Sequence, residues 1–280
     1  MNKSVIFGAG QSGKMIKTLI HGMWVVSAYA DNNYNNLPES IDCIPVISPD
    51  KILEIKPDKI IISVLNKDAA IKIYNQLIQL GIDKTKILNI NNLRELLDAR
   101  LSVIRLLADE INRKEIKGSI AELGVYRGYI AKELNILFKD RKLYLFDTFE
   151  GFDDRDLFYE NKLEKSRIKK DDFKDTNIEA VKEILPFKDK VVFCKGYFPE
   201  TADKIEDKYA LVSLDTDLYL STLNGLKYFY PRLSIGGSII VHDYNSQQFP
   251  NVKKAVDDFY KTVDINVIPI CDLHGSAVIV

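Results

Sequence analysis

The stretch INVIPICDLHGSAVIV, Ile265–Val280, holds two short apolar runs, INVIPI and GSAVIV, separated only by CDLHG. A connection that short joins antiparallel neighbours, because parallel strands need a crossover of roughly a dozen residues or more. Upstream the pattern is different. From Gly118 onward, GSIAELGVYRG, KLYLFDTF, KVVFCKG, YALVSLDTD and GGSIIVHDY read as strands, each separated from the next by a helical pattern, and NVKKAVDDFY reads as the helix before INVIPI. Strands alternating with helices indicate a parallel sheet with crossover helices. Residues 118–280 therefore read as one α/β unit of seven strands, five parallel and the last two an antiparallel hairpin.

The preceding part repeats the alternation on a smaller scale. KSVIFG, MWVVSAYAD, DKIIISVL and KILNI read as strands, with helices at SGKMIKTLIH and KDAAIKIYNQLIQLG, and Gly81 stands where the second helix should end. Residues 1–91 are thus expected to form a small Rossmann-like parallel sheet. Between the two units, residues 92–117 carry Leu93, Leu96, Leu97, Leu101, Ile104 and Leu107 on one stripe among charged residues, the signature of an amphipathic helix. That helix bridges the halves, packing on its own chain or also against a second subunit in a homo-oligomer.

Composition narrows the partners. Lys+Arg number 39 against 40 Asp+Glu in 280 residues, so no electrostatic footprint for nucleic acid or an anionic membrane is present. Cys43, Cys194 and Cys271 are far apart and without a CxxC pair, neither a disulfide framework nor a zinc site, which fits a reducing cytoplasm. No window approaches the roughly 18 apolar residues of a membrane span, and MNKSVIFGAG lacks the apolar core of a signal peptide. A neutral or small partner is the expectation.

The chemistry gathers at strand ends. In IAELGVYRG a strand ends at Glu122 and a glycine turn leads to a helix, so the backbone can approach a ligand there. Asp147, about 25 residues on, closes the next strand and is placed to accept hydrogen bonds from ribose hydroxyls. Asp215 and Asp217, spaced i, i+2, close one strand and project from the same side, while His242 and Asp243 close the following one. Parallel neighbours lie about 4.8 Å apart, so the four groups can meet, and a hard divalent cation would relieve the repulsion between the carboxylates.

ELGVYRG, LFDTFEGF, KGYFPET, LDTDLYLST and YPRLSIGGSIIVHDY, in that order, resemble the macrocin O-methyltransferase (TylF-like) family, whose sheet follows the class I methyltransferase plan. The resemblance covers residues from about 115 to 280. It implies a magnesium-dependent sugar O-methyltransferase using S-adenosylmethionine. Asp215 and Asp243 would be metal ligands and Asp217 the general base. Glu122, Gly124 and Tyr126 would lie by the cofactor's methionine portion and Asp147 at the ribose. Gly196, Tyr197 and Phe198 would flank the adenine, although the two aromatic rings are equally readable as core. The chain departs from the family where better-known members have two adjacent aspartates and it has His242-Asp243. Imidazole is softer than carboxylate, so His242 reads as a ligand better suited to manganese, as a proton-transfer group, or as a group orienting its neighbour.

Two further segments carry motifs. Glu150 to Asn177 is long and highly charged, a lid in which Phe158 and Tyr159 cover a sugar or else a solvated helical excursion. In VIFGAGQSGKMIK, Gly8, Gly10 and Gly13 fit G-x-G-x-x-G between a strand and a helix, with Asp31 ending the following strand. A P-loop reading fails because Met15 stands where a hydroxyl residue would hold magnesium. With SAYADNN and CIPVISPDKI, this part resembles the Rossmann-like nucleotide-sugar-binding domain of bacterial sugar acyltransferases. A methyltransferase acting on a sugar or nucleotide-sugar is the leading expectation. An NAD-dependent oxidoreductase built on the first glycine turn and a non-catalytic nucleotide-sugar-binding protein are the competing ones, and the former leaves the acid cluster unexplained.

Overall fold

The computed structural model describes residues 2–94, 98–163 and 168–280. The chain divides into two compact units, one of Met1–Ala99 with Cys271–Leu273, the other of Arg100–Ile270 with His274–Val280. Of the expected leucine stripe, Leu96 and Leu97 lie outside the described residues, as do residues 164–167 of the charged stretch.

The first unit holds β1 (Asn2–Phe7), α1 (Gln11–Leu19), β2 (Trp24–Ala30), β3 (Ser40–Ile41), β4 (Ile44–Ile47), α2 (Ile52–Ile55), β5 (Lys59–Ile62), α3 (Lys67–Gln79), β6 (Ile87–Asn89) and α4 (Ile90–Arg94). Its sheet runs β3-β4-β2-β1-β5-β6. The four expected strands are there, joined by β4 parallel to β2 and by β3 antiparallel to β4. Val5, Ile6 and Phe7 are buried in succession, because helices cover both faces of a parallel sheet and leave no solvent side to alternate toward. Asn66 caps α3 by accepting from Ala69 N, and Gly81 follows the helix at φ +80°.

The second unit holds α5 (Ala99–Arg113), β7 (Ser119–Leu123), α6 (Tyr129–Leu137), β8 (Leu143–Asp147), α7 (Asp154–Glu160), α8 (Ile178–Ile184), β9 (Val191–Lys195), β10 (Tyr209–Leu214), α9 (Tyr219–Phe229), β11 (Leu233–Val241), α10 (Pro250–Tyr260), β12 (Val267–Pro269) and β13 (Ala277–Ile279). Helix α5 begins one residue inside the first unit. The sheet order is β12-β13-β11-β10-β7-β8-β9. Strands β7 to β11 pair in parallel, and β13 runs antiparallel between β11 and β12. The hairpin read from Ile265–Val280 is therefore present, with its last strand inserted next to β11. Leu101 and Ile104 of α5 are buried with Ile111, Ile120 and Leu134 in the core on one face of the sheet, and Phe146, Phe229 and Val252 lie in the core on the other. Among the described residues no helix is long and apolar enough to cross a membrane.

Gly124, just past β7, has φ +87°, and a Cβ there would stand 1.9 Å from the backbone oxygen of Asp215. This glycine is required by the approach of two strand ends, a demand of the fold itself and separate from the ligand approach expected of it. Gly124→Ala places an L side chain in a left-handed conformation and against backbone, so it is expected to lower the unfolding free energy by about 3 kcal/mol. Chemical denaturation checks this, and an unchanged midpoint at unchanged slope would refute it.

Candidate active site

The carboxyl ends of β7, β8, β10 and β11 converge on one cleft of about 420 Å³, the ligand position of open α/β sheets. The ladder continues one residue beyond each strand. Asp215 N donates to Leu123 O at 2.9 Å, and His242 N donates to Leu214 O at 2.8 Å. Those bonds carry the residues immediately after β10 and β11 to the same level. Asp217 and Asp243 then turn at φ +60° and +55°, left-handed backbone that aspartate tolerates better than most residues and that gathers at functional sites.

The result brings Asp215, Asp217, His242 and Asp243 to the wall of one cleft. One ligand atom from each of Asp215, His242 and Asp243 lies within 4.8 Å of the others. His242 Nδ1 is 2.8 Å from Asp215 Oδ1 and closer still to Asp243 Oδ2. Neither contact has the alignment of a hydrogen bond, so both ring nitrogens are buried without a hydrogen-bond partner. Burial pulls the imidazole pKa down, but the two carboxylates outweigh it and raise it to about 10. Asp215 is driven the other way. Burial raises its carboxyl, and His242 and Arg100 more than reverse that, leaving it below the ordinary range. Asp217 is pushed well above that range by burial and then by Asp215 and Asp243, and its carboxylate makes no hydrogen bond to any described residue. Three donors crowded together without mutual hydrogen bonds, two of them carboxylates, fit a divalent cation.

Glu122, at the end of β7, is 1% exposed, and its Oε2 has no hydrogen-bond partner. Burial raises its carboxyl well above the ordinary range. Such an orphaned acceptor fits the ammonium of an amino-acid head group. Asp147 lines the cleft, but its carboxylate is largely engaged by the protein. Its Oδ2 accepts from Val125 N at 2.7 Å and Tyr126 N at 2.9 Å, and its Oδ1 from Phe149 N at 2.6 Å. Thr148 Oγ1 is a fourth, longer donor at 3.5 Å from Oδ1, so with about four lone-pair sites on a carboxylate Asp147 is taken up by the glycine turn and the loop after β8. Tyr126, at φ +48°, donates to Asp175 Oδ1 at 2.6 Å and meets Phe173 edge-on. Gly196 lines the cleft at φ +131°. Tyr197 donates to Asp156 Oδ1 at 3.1 Å, with the Arg155 guanidinium 3.5 Å from its ring centre. Phe198 is 5% exposed and stacks on Phe229, so most of its ring is core.

Of the two readings of the charged stretch, the helical excursion is present as α7. Asp153 caps α7 by accepting from Arg155 N, and the helical period turns Asp156, Leu157 and Glu160 inward. Phe158 and Tyr159 therefore point outward, 62% and 45% exposed, and Tyr159 stacks on Tyr219. The aromatic residues of this stretch that line the cleft are Phe152 and Phe173. Asp156 joins them, its carboxyl raised by burial to about 7.

In the first unit Gly8, Gly10, Gly13 and Asp31 do meet. Asp31 accepts from Ala9 N at 2.9 Å. A Cβ on Gly8 would stand 2.6 Å from Ser63 Oγ and one on Gly13 2.0 Å from Gly8 O, whereas one on Gly10 meets nothing within 4 Å. Two of the three glycines thus serve the unit's own packing.

The sequence reading missed Arg100. From the first turn of α5 its Nη1 donates to Asp215 Oδ2 at 3.0 Å. One arginine among the charged positions of an amphipathic helix gives no local signal. His274, in the CDLHG turn, was missed too, and its ring centre lies 5.0 Å from that of His242.

Residues 95–279 match the family described as macrocin-O-methyltransferase (TylF), and residues 1–88 match one described as C2185-like, N-terminal. Among curated proteins the chain is 28% identical over 177 residues to a demethyldecarbamoylnovobiocin O-methyltransferase of Streptomyces niveus, covering 59% of this chain and 67% of that one. It is 26% identical over 191 residues to an 8-demethyl-8-(2,3-dimethoxy-alpha-L-rhamnosyl)-tetracenomycin-C 4'-O-methyltransferase of Streptomyces olivaceus, covering 64% and 71%. Among solved structures it is similar to the O-methyltransferase NovP, at a TM-score of 0.55 and 26% identity over 64% of this chain and 78% of that one. With the family match spanning most of its length and the cleft at the ends of a seven-stranded methyltransferase sheet, the chain belongs to the macrocin O-methyltransferase family of S-adenosylmethionine-dependent O-methyltransferases.

Proposed function

We propose that the chain methylates a sugar hydroxyl, on a sugar nucleotide, a surface-glycan precursor or a glycosylated natural product, and that it does so with a divalent cation held by Asp215, His242 and Asp243. The observation that carries this reading is the cluster of those three side chains beside the Asp217 carboxylate. The rhamnosyl group in the name of the Streptomyces olivaceus relative supports a sugar as acceptor.

A sugar hydroxyl is a weak nucleophile near neutral pH. S-adenosylmethionine supplies an electrophilic methyl group, and a divalent cation, when bound, supplies the Lewis acidity that makes a neighbouring hydroxyl easier to ionise. Asp217 takes the hydroxyl proton as the oxygen attacks. Its raised pKa makes it a stronger proton acceptor than an ordinary carboxylate. The neighbouring Asp215 and Asp243 carboxylates are part of what raises it, so charge at the cluster tunes the base. Phe152 and Phe173 at the cleft wall exclude water from the reacting groups.

Asp217→Asn is expected to bind S-adenosylhomocysteine as the wild type does while lowering kcat by about 10²-fold or more. Equal turnover in a labelled-methyl assay against a nucleotide-sugar panel would refute its role as base. Chelation is expected to remove activity, and Mg²⁺ or Mn²⁺ to restore it. Imidazole favours the softer ion, so His242→Asp should shift the ratio of Mn²⁺ to Mg²⁺ affinity toward Mg²⁺, measured by calorimetry on the protein alone. An unchanged ratio would remove His242 from the ligand set.

A further inference from the structure

The Asp217 carboxylate makes no hydrogen bond to any described residue, so its backbone sets where it points. That backbone stands at φ +60°, a conformation that persists only where the surroundings impose it. Helix α9 starts two residues later, at Tyr219, and its N-cap is Leu218, whose side chain makes no capping bond. The missing acceptor comes from another helix. Glu160, the last residue of α7, is 1% exposed, and its Oε2 accepts from Tyr219 N at 3.0 Å. Its Oε1 accepts from Asn251 Nδ2 at 2.6 Å, so one buried carboxylate ties α7 to the starts of α9 and α10. Thr222 secures the turn from the other side, its Oγ1 lying 2.7 Å from Thr216 Oγ1 and donating to Leu218 O at 2.7 Å. Asp217 is thus held both before and after, at Thr216 and at Tyr219.

We propose that Glu160 is a positioning residue for methyl transfer, fixing from α7 the turn that carries Asp217. The inference rests on the reading of Asp217 as the base and gives the charged stretch a part in the reaction, exerted through that turn and without contact with substrate. A carboxylate suits the place. The first N–H groups of a helix have no partner inside it, the N-terminus favours negative charge, and a buried carboxylate is tolerable only when hydrogen bonds meet it. Leucine at the N-cap leaves Tyr219 N dependent on this distant acceptor, whereas a serine or aspartate there would have served it locally. The fold therefore couples the position of α7 to the start of α9, two residues from the group that takes the proton. Proton transfer needs the base within hydrogen-bond reach of the hydroxyl, so a small shift of this turn is felt in the chemical step.

A double-mutant cycle on the full chain separates this role from a purely structural one, with turnover measured on the nucleotide-sugar that the wild type methylates fastest in the panel. Glu160→Met keeps the side chain's length and removes both acceptors. It is expected to lower kcat by roughly 10- to 100-fold, the effect of misplacing a reacting group, and to leave S-adenosylhomocysteine affinity within about twofold of the wild type. Glu160→Gln keeps an oxygen for Tyr219 N, and a turned Asn251 amide can accept from its new N–H, so kcat should return to within about threefold of the wild type. Combined with Asp217→Asn, Glu160→Met should cost less than about twofold more, because the group it positions no longer acts as a base. Asn251→Ala, which frees only Oε1, should give a smaller loss that Asp217→Asn likewise suppresses, and it carries the test if Glu160→Met does not fold. An undiminished kcat in Glu160→Met, or an equal loss with and without Asp217→Asn, would overturn the proposal. Wild-type turnover in Asp217→Asn alone would overturn it together with the base assignment it rests on.

Discussion

Everything at the site depends on how closely the ends of β7, β10 and β11 approach one another. Asp215 N bonds to Leu123 O, His242 N bonds to Leu214 O, and Gly124 leaves no room for a side chain beside the Asp215 carbonyl. Because parallel strands are only about 4.8 Å apart, those three contacts set the spacing of the acids more tightly than any side-chain interaction could. Side chains on rigid strand ends keep their geometry when like charges repel, whereas the same acids on a mobile loop would separate.

The second constraint is charge. Asp215, Asp217, Asp243 and Glu122 line one cleft with Arg100, His242 and His274. The protein answers the repulsion unevenly. Asp215 has two positive neighbours and stays ionised, whereas Asp217 and Glu122 lack a hydrogen bond or ion pair on the oxygens that matter and are pushed upward. The groups with the most perturbed protonation are those left for a ligand to satisfy, which is the usual relation between perturbed pKa values and functional sites.

Much of this was legible in the chain. The alternation of strands and helices, the short CDLHG connection and the ordered stretches from ELGVYRG to YPRLSIGGSIIVHDY pointed to the seven-stranded sheet, and the strand-end acids pointed to the cleft. Less was legible where helical phase or distant packing decides. The charged stretch could be read either as a lid carrying Phe158 and Tyr159 or as a solvated helix, and only the cap at Asp153, which sets α7 so that the two rings face outward, decides between them. The two short strands β3 and β4 gave too brief a pattern to be read, and the glycines at 8, 13 and 124 read as ligand-approach positions when the packing around them, the Ser63 side chain at Gly8 and backbone at the other two, already requires them.

By itself the sequence determined the fold class, the family and the identity of the acids at the strand ends, because periodicity and local motif order are properties of neighbours along the chain. Only the tertiary structure decided that Arg100, 115 residues before Asp215, is its ion-pair partner, that Asp147 is engaged by the glycine turn, and that one Glu122 oxygen is left unpartnered. Those outcomes depend on which groups meet after the sheet closes, and on how burial weighs their charges, neither of which is written in any local stretch of residues.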